Sequence, residues 1–299
     1  MAIGCIHTEW LFRIHEKGGF TRARRLLDLG PQDVQTSRAF LRESIQRHLA
    51  RDPAPDIAAI FTGDAPRRDC QHKYYSLFGI AEYASMDVDD DRADFAVDLN
   101  QPLAGAYRPY DVVTNFGTAE HVYDIARVFA AMHELLVPGG LALHCVPAFA
   151  FPNHGFYTPN PNLFIEFARF NGYELLDFSY VDNMFVRERV ANTRAAGGIE
   201  FDALPIQASD MESTQHFMTK VVLQFHRNLM APETAAVLRS LLPPEADPRP
   251  YPSPDYHMCF VFDLVFIAMI KPRVERPLVA PMQRMEGVAP LVSRPAAGP

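Results

Sequence analysis

Several short apolar runs of this sequence end in acids, amides or glycine, and these ends could hold a ligand. Asp28 and Gly30 follow the first run, and later runs end at Asp87, Asp98 and Asn115. If the runs are parallel strands, their carboxyl ends share the edge at which open α/β sheets bind ligands. Several carboxylates with little positive charge at that edge favour a neutral or cationic nucleoside over a polyphosphate.

Candidate catalytic groups follow the fourth and fifth runs. Glu120 and His121 come after the fourth run, and His154 and Tyr157 come after the fifth. Loops that follow neighbouring parallel strands lie close together, so an acid could orient an imidazole that works as a general base near neutral pH. Each histidine could equally be a packing residue, and Glu120 could complement a helix dipole.

Metal and ATP or GTP sites are not expected. Neither HxH nor HxxxH occurs among His121, His144 and His154, and His144 lies inside a predicted strand. The sequence also lacks the GxxxxGK[ST] loop of the P-loop nucleotide-binding proteins. The four cysteines are far apart without a CxxC pair, which favours reduced thiols in the cytoplasm.

Composition favours one principal domain. The chain has 299 residues, of which 48% are hydrophobic, so it can bury one large core. Its formal net charge of -8 argues against a general nucleic-acid binder, which needs an excess of Lys and Arg. Its best apolar stretch, Cys259–Ile270, is too short and too interrupted by acid to span a bilayer. We therefore expect a cytoplasmic protein that binds neither nucleic acid nor membranes.

The elements that must position these residues form an α/β pattern. Apolar periodicity predicts helices over Glu9–Gly18, Ser37–Leu49, Val122–Leu136 and Asn162–Asn171. Strands are predicted at the Arg25–Val34 stretch, at Tyr83–Asp91, Phe95–Asn100, Tyr110–Asn115 and Leu141–Val146, and later at Tyr173–Val181 and Phe260–Lys271. A βαβ unit is predicted from the fourth strand, the helix after it, the Pro138-Gly139-Gly140 turn and the fifth strand. The sheet is therefore expected to be mostly parallel.

Two segments stand apart from this pattern. About seventy residues separate the last two predicted strands, so residues 184–256 are expected to form an insertion, either a lid over the site or a homodimer contact. Residues 272–299 are rich in Pro and lack a sustained period, which predicts a tail or clasp without regular structure after the domain of residues 1–271.

Several motifs, in this order, resemble the class I S-adenosylmethionine-dependent methyltransferases. LLDLGPQD at 26–33 resembles their first motif, Asp87 their ribose-binding acid, and DLN at 98–100 their adenine-contacting turn. LLVPGGLALHCVP at 135–147 is similar to the end of the helix, the turn and the fifth strand of that family. The resemblance implies a Rossmann-like, mostly parallel seven-stranded sheet with helices on both faces and an antiparallel terminal strand.

The same resemblance implies S-adenosylmethionine as cofactor and roles for individual residues. Asp28 and Gly30 would border its methionine part, and Asp87 would accept hydrogen bonds from the ribose hydroxyls. The adenine would lie against Asp98 and Leu99. Asn115 and Phe116 would line the cofactor floor.

Two features depart from the family pattern. Pro31 and Gln32 stand where further glycines are usual. Asp87 lies much further from Asp28 than in the usual dinucleotide spacing, which implies an insertion between the first two strands and leaves Asp89 as a substitute.

The expected function is methyl transfer to an oxygen, nitrogen or carbon of a small molecule, with His121 or His154 as base. One alternative is an NAD(P)-dependent Rossmann oxidoreductase, which the single glycine of the turn disfavours. The other is a methyltransferase-like scaffold that no longer catalyses, which Pro31 and Gln32 make credible.

Overall fold

A computed structural model gives the fold of this chain. It describes residues 2–67, 69–105, 107–149, 155–182, 202–203 and 263–281. His154, most of the 184–256 segment and residues 282–299 of the tail therefore lie outside the described residues.

Within these ranges the chain forms a mixed α/β structure. Its helices are α1 (Cys5–Glu16), α2 (Arg38–Leu49), α3 (Ala54–Ile60), α4 (Gln71–Tyr75), α5 (Ile125–Leu135) and α6 (Pro161–Asn171), with short 3-10 turns at Ser76–Phe78 and Ala119–His121. Its strands are β1 (Ala2–Ile3), β2 (Arg25–Leu29), β3 (Asp33–Val34), β4 (Phe61–Thr62), β5 (Ala65–Pro66), β6 (Glu82–Asp87), β7 (Phe95–Ala96), β8 (Tyr110–Phe116), β9 (Leu136–Phe149), β10 (Glu174–Asp182), β11 (Asp202–Ala203) and β12 (Asp263–Ile270).

The main sheet contains seven of these strands in the order β10-β12-β9-β8-β2-β6-β7, and two-residue β11 pairs outside β10. The central strands β9, β8, β2, β6 and β7 are parallel. β12 runs antiparallel between β9 and β10. Because the chain goes from β2 to β6 on one side and later returns to β8 on the other, the order reverses at β2, which creates the switch-point crevice of doubly wound sheets.

Side-chain alternation along the strands builds a separate core on each face of the sheet. Leu26 and Val112 pack with α1 to α4 on one face, and Leu27 and Val113 pack with α5 and α6 on the other. Helices therefore cover both faces, as the sequence predicts.

A buried carboxylate attaches α1 to the antiparallel end of the sheet. Asp177 of β10 accepts a hydrogen bond from the indole Nε1 of Trp10 at 2.8 Å and another from the Ser179 hydroxyl at 2.6 Å. Lys17, just after α1, forms an ion pair with the same carboxylate. These contacts fix α1, one of the helices that cover the sheet.

The last two predicted strands pair with each other. β10 and β12 are antiparallel neighbours over their whole length, from Glu174 opposite Ile270 to Asp182 opposite Asp263. The Rossmann-like fold class is confirmed. Among the described residues, no helix combines the length and the apolar composition needed to cross a membrane.

Three predicted boundaries are wrong, each for a local reason. β6 ends at Asp87 because that carboxylate takes the backbone N–H groups of the next turn, and β7 is only two residues long because Asp98 does the same for Asn100. The Pro138–Gly140 turn lies inside β9, where the pairing with β8 is irregular, rather than between α5 and the strand.

His7 on α1 makes folding sensitive to acid. Its ring packs against Phe116 and Phe266, and burial lowers its pKa from 6.5 to about 4. Below pH 6.5 His7 binds a proton in the unfolded chain, whereas in the folded chain it stays neutral down to about pH 4. The free energy of unfolding therefore falls as the pH falls through that window. Between pH 8 and pH 5 we expect the free energy of unfolding of His7→Phe to fall by about 2 kcal/mol less than that of wild type.

Urea unfolding of both proteins at the two pH values measures this difference. Ile6→Val is the matched control, because it weakens the same helix without removing a titratable group and should keep the wild-type pH dependence. An equal loss of stability in His7→Phe and wild type would contradict the assignment.

Candidate active site

A cleft of about 440 Å³ opens at the carboxyl ends of β2, β6, β7 and β8, where the strand order reverses. Its walls come from the turn after β2, the loops after β6 and β7, and the turn after β8. The lining residues are Gly30–Asp33, Met86–Asp90, Arg92, Val97–Asn100, Gly117, Thr118, His121 and Val122.

The turn after β2 requires glycine at position 30. Gly30 has φ +80°, and its N–H donates to the carbonyl of Met86 at 2.8 Å. A Cβ there would lie 2.9 Å from Oγ1 of Thr118 and 3.6 Å from Oδ2 of Asp87. Glycine is therefore needed here both for the backbone conformation and for the close packing of Thr118, at the point where two neighbouring strand ends meet.

Gln32 stabilises the turn after β2, at a position where the family usually has a further glycine. Its Nε2 donates to the carbonyl of Gly30 at 2.9 Å, and its own carbonyl accepts from Nε2 of Gln71 at 2.9 Å. The Gly-Pro-Gln turn is thus fixed by side-chain hydrogen bonds, which explains how the chain tolerates the departure from a glycine-rich loop.

Asp87 has one oxygen occupied by its own turn and one directed at the cleft. Oδ1 accepts from the backbone N–H groups of Asp89 at 2.9 Å and Asp90 at 3.1 Å. Oδ2 is the oxygen that faces the Gly30 turn. This geometry suits a carboxylate that accepts hydrogen bonds from a diol, whereas Asp89 lines the cleft with an exposed side chain.

The loop after β7 forms the far wall. Asp98 accepts from the backbone N–H and the side-chain Nδ2 of Asn100, both at 2.9 Å, and these bonds lower the pKa of the exposed Asp98 carboxyl. Oδ1 of Asn100 accepts from the N–H of Asp124 at 3.0 Å, which attaches the loop to the start of α5. Leu99 is buried and contributes an apolar surface to the cleft.

Arg92 closes one end of the cleft and was missed by sequence reasoning. Its guanidinium forms a two-pronged ion pair with Asp90 and reaches Oδ1 of Asp33 at 2.6 Å. The hydrogen bonds to Asp90 and Asp33 raise the pKa of Arg92. The only available signal was the run VDDDRAD, because pairing with Asp33 crosses from one loop to another.

Carboxylates dominate the charge of the cleft. Asp33, Asp87, Asp89, Asp90 and Asp98 line it, against Arg92 as the single Lys or Arg among its described lining residues. Since Arg92 is already paired with two of these acids, the cleft favours a neutral or cationic ligand, as the sequence predicts.

Asp28 supports the cleft from behind instead of lining it. Its fully buried carboxylate accepts hydrogen bonds from the hydroxyls of Tyr75 at 3.0 Å, Tyr83 at 2.9 Å and Thr114. Burial raises its pKa to about 6, and these hydrogen bonds limit the rise. The Asp28 side chain thus points into the helix-covered core and does not line the cleft. Its place beside the methionine part of the cofactor stays a prediction.

Asn115 and Phe116 are both fully buried and lie outside the lining of the cleft, and their role at the cofactor floor stays a prediction. Phe116 is fully buried against Trp10 on the other face of the sheet. Oδ1 of Asn115 accepts from the N–H of Ala119 at 2.9 Å, and its Nδ2 donates to Nδ1 of His144 at 3.1 Å. Burial lowers the pKa of His144 to about 3, so its ring stays neutral and Nδ1 can accept.

The predicted catalytic residues are separated by burial. His121 is exposed and lines the cleft, whereas the Glu120 side chain is fully buried outside it. The carbonyl of Glu120 accepts from the N–H groups of Phe156 at 2.7 Å and Tyr157 at 3.2 Å, so the loops after β8 and β9 meet as expected. His154 lies outside the described residues. Among those that are described, no group of three or more potential metal ligands is found.

A doubly wound sheet with a nucleoside-sized acidic cleft at its switch point defines a Rossmann-like ligand-binding domain. Residues 10–185 match the family model of the methyltransferase domain, which is more than half of the chain. The chain therefore belongs to this family and is a class I S-adenosylmethionine-dependent methyltransferase. Family membership decides against both the nicotinamide-dependent alternative and the scaffold without catalysis.

Similar folds occur among solved structures at low sequence identity. StiE O-MT residues 961-1257 are 12% identical, with 90% of this chain and 75% of that chain covered and a TM-score of 0.43. The YcgJ protein of Bacillus subtilis is 11% identical, with 89% and 99% covered and a TM-score of 0.40.

The O-methyltransferase of a trans-AT PKS multienzyme of Brevibacillus brevis, in complex with S-adenosyl-L-homocysteine, is 12% identical. Here 88% of this chain and 72% of that chain are covered, with a TM-score of 0.39. These TM-scores are too low to support conclusions about the site. No curated protein sequence gives a significant match.

The cleft fits the cofactor of the family. At Gly30 the turn carries no side chain, and a carboxylate oxygen of Asp87 lies beside it. An apolar side chain, Leu99, lies in the opposite loop. A charged nucleoside requires a backbone that it can approach closely, a hydrogen-bond acceptor and an apolar wall.

The Gly30 turn can be tested by comparison with Gly63, which also has a positive φ but has open space where its Cβ would be. Gly63→Ala should cost about 1 kcal/mol, the price of the left-handed backbone alone. Gly30→Ala should cost about 1 kcal/mol more, because its methyl would also press on Thr118. Equal losses in chemical unfolding would show that the contact with Thr118 is unimportant.

Proposed function

We propose that this methyltransferase transfers its methyl group to an oxygen, nitrogen or carbon of a small molecule, with His121 as the base. The observation that carries the proposal is the position of His121: it lies on the wall of the acidic cleft nearest the loops after β8 and β9. A base there would face an acceptor that approaches the cofactor from the side of those loops.

In this proposal the loops after β2, β6 and β7 hold the cofactor. Oδ2 of Asp87 accepts hydrogen bonds from the ribose hydroxyls, and Leu99 with Asp98 lies against the adenine. The Gly30 turn receives the methionine part, where a side chain would collide with Thr118. Arg92 keeps the loop after β6 in place by its ion pairs with Asp90 and Asp33.

Bound S-adenosylmethionine supplies an electrophilic methyl group on a sulfonium centre. The chain contributes alignment of the acceptor in line with that methyl, which converts a bimolecular step into an effectively unimolecular one. His121 takes the proton of the acceptor where the nucleophile carries one. Its backbone N–H donates to the carbonyl of Thr118 at 3.0 Å, so the short turn that presents the ring is itself ordered.

Charge supports a small acceptor over a nucleic acid. The chain has a formal net charge of -8, and carboxylates outnumber Arg92 in the cleft by five to one. A polyphosphate that approached this cleft would be repelled. The homodimer and the lid proposed for residues 184–256 concern a segment that lies, apart from Asp202–Ala203, outside the described residues.

Transfer of a labelled methyl group to a metabolite extract tests acceptor class and base together. We expect label in the small-molecule fraction and none in added protein or RNA. His121→Asn should lower the labelling rate at least about a hundredfold while binding S-adenosylhomocysteine with unchanged affinity, because a lost general base affects chemistry alone. Label in the RNA or protein fraction would refute a small acceptor, and full activity of His121→Asn would remove His121 from the chemistry.

Calorimetry with S-adenosylhomocysteine tests which acid contacts the ribose. Asp87→Asn keeps Oδ1 for the turn and replaces the oxygen that faces Gly30, so it should weaken binding by about 1 to 3 kcal/mol. Asp89→Asn is the matched control, since it removes an exposed neighbouring carboxylate and should change affinity little. The opposite pattern would assign the ribose to Asp89.

A further inference from the structure

Two large aromatic side chains stand in solvent at the carboxyl edge of the sheet. Tyr123 is 74% exposed and Phe156 is 66% exposed. Their ring centroids are 6.0 Å apart and the ring planes are almost perpendicular, at 88°. The two rings thus meet edge to face and leave most of both side chains in solvent, where a further aromatic ring can pack against them.

The surrounding loops hold this aromatic pair in place. Tyr157 donates its hydroxyl to the carbonyl of Tyr123 at 2.6 Å, which joins the loop after β8 to the loop after β9. The N–H of Phe156 donates to the carbonyl of Glu120 at 2.7 Å. Gly155 permits this contact, because a Cβ there would lie 2.6 Å from the same carbonyl oxygen. The loops are thus ordered in an arrangement that leaves two rings exposed.

The aromatic pair adjoins the wall of the cleft on which His121 lies. His121 and Val122 line the cleft, and Tyr123 is the next residue along the chain. Phe156 belongs to the loop after β9, the strand next to β8. A molecule stacked on the pair would therefore lie at the side of the cleft opposite the loops after β6 and β7.

We propose that the methyl acceptor is a planar aromatic molecule with a ring hydroxyl, and that Tyr123 and Phe156 bind its ring. This inference rests on the proposed function and names its acceptor. Flat apolar surface is what an exposed ring pair can recognise, and the acids of the cleft repel an anionic acceptor.

A ring hydroxyl also matches the base. A phenolic O–H has a pKa near 10, within reach of an imidazole, whereas an aliphatic hydroxyl is far less acidic. The acceptor oxygen forms a bond to the methyl carbon as the carbon–sulfur bond breaks, and the hydroxyl proton passes to His121. The products are the aryl methyl ether and S-adenosylhomocysteine, with the positive charge transferred from sulfur to the imidazolium.

The test uses 2-naphthol and its saturated counterpart, decahydro-2-naphthol, as probes in the presence of S-adenosylhomocysteine. We expect 2-naphthol to bind the full-length protein, and Tyr123→Ala and Phe156→Ala each to weaken that binding about tenfold. Tyr123→Phe should restore it, because the ring and not the hydroxyl makes the contact. Val274→Ala removes an exposed apolar side chain beyond β12, at the opposite edge of the sheet, and should have no effect.

The affinity for S-adenosylhomocysteine, measured by calorimetry in every variant, separates the two proposals. Three results would overturn the aromatic acceptor and leave the proposed function in place, provided that the affinity for S-adenosylhomocysteine is unchanged. The first is that 2-naphthol does not bind. The others are that the saturated probe binds equally well, or that the alanine variants bind 2-naphthol as tightly as wild type. Coverage of the rings by another part of the chain would give the first of these results. Failure of the wild-type protein to bind S-adenosylhomocysteine would overturn both proposals.

Discussion

The buried carboxylate of Asp28 is the interaction on which the arrangement of the site depends. It lies on the central strand and accepts hydroxyl hydrogen bonds from both neighbouring strands, Tyr83 on β6 and Thr114 on β8, and from Tyr75 at the end of α4. Burying a carboxylate away from water costs free energy unless its oxygens accept hydrogen bonds. Each donor is therefore held to β2, the strand that leads into Gly30. The ends of β2, β6 and β8 are thereby kept in fixed relation where they diverge to form the cleft.

The cleft between these strand ends has two walls, which different groups of residues shape. The loops after β6 and β7 are shaped by acids that cap their own backbone, as Asp87 and Asp98 do, and Arg92 holds the first of them to Asp33. The turn after β8 is shaped by Asn115, which neutral His144 orients from the core. The two walls therefore rest on different strands, which lets the loops of one wall vary without disturbing the other.

Sequence patterns predicted much of the fold because they report burial directly. The apolar periodicity of α2 and α6 and the long apolar run of β12 are consequences of packing, and the structure agrees with them to within a few residues. Strand ends were less well predicted where a side chain captures the backbone, as at Asp87. The site was predicted by chain position alone, which ignores the alternation of strand faces: Asp28 and Phe116 point into the α1 to α4 core, away from α5 and α6.

The same alternation could have improved the interpretation. Leu27 and Leu29 share one face of β2, so Asp28 between them must point to the other face, which α1 to α4 cover. Gly30 lies beyond the strand and escapes the alternation, as does His121 in its short turn after β8. The cleft is therefore lined mostly by residues past the ends of the main-sheet strands, and Met86 and Asp87 of β6 are the lining residues that lie within such a strand. Arg92 shows the remaining limit, because its partner Asp33 becomes a neighbour only when the parallel order of β2 and β6 is known.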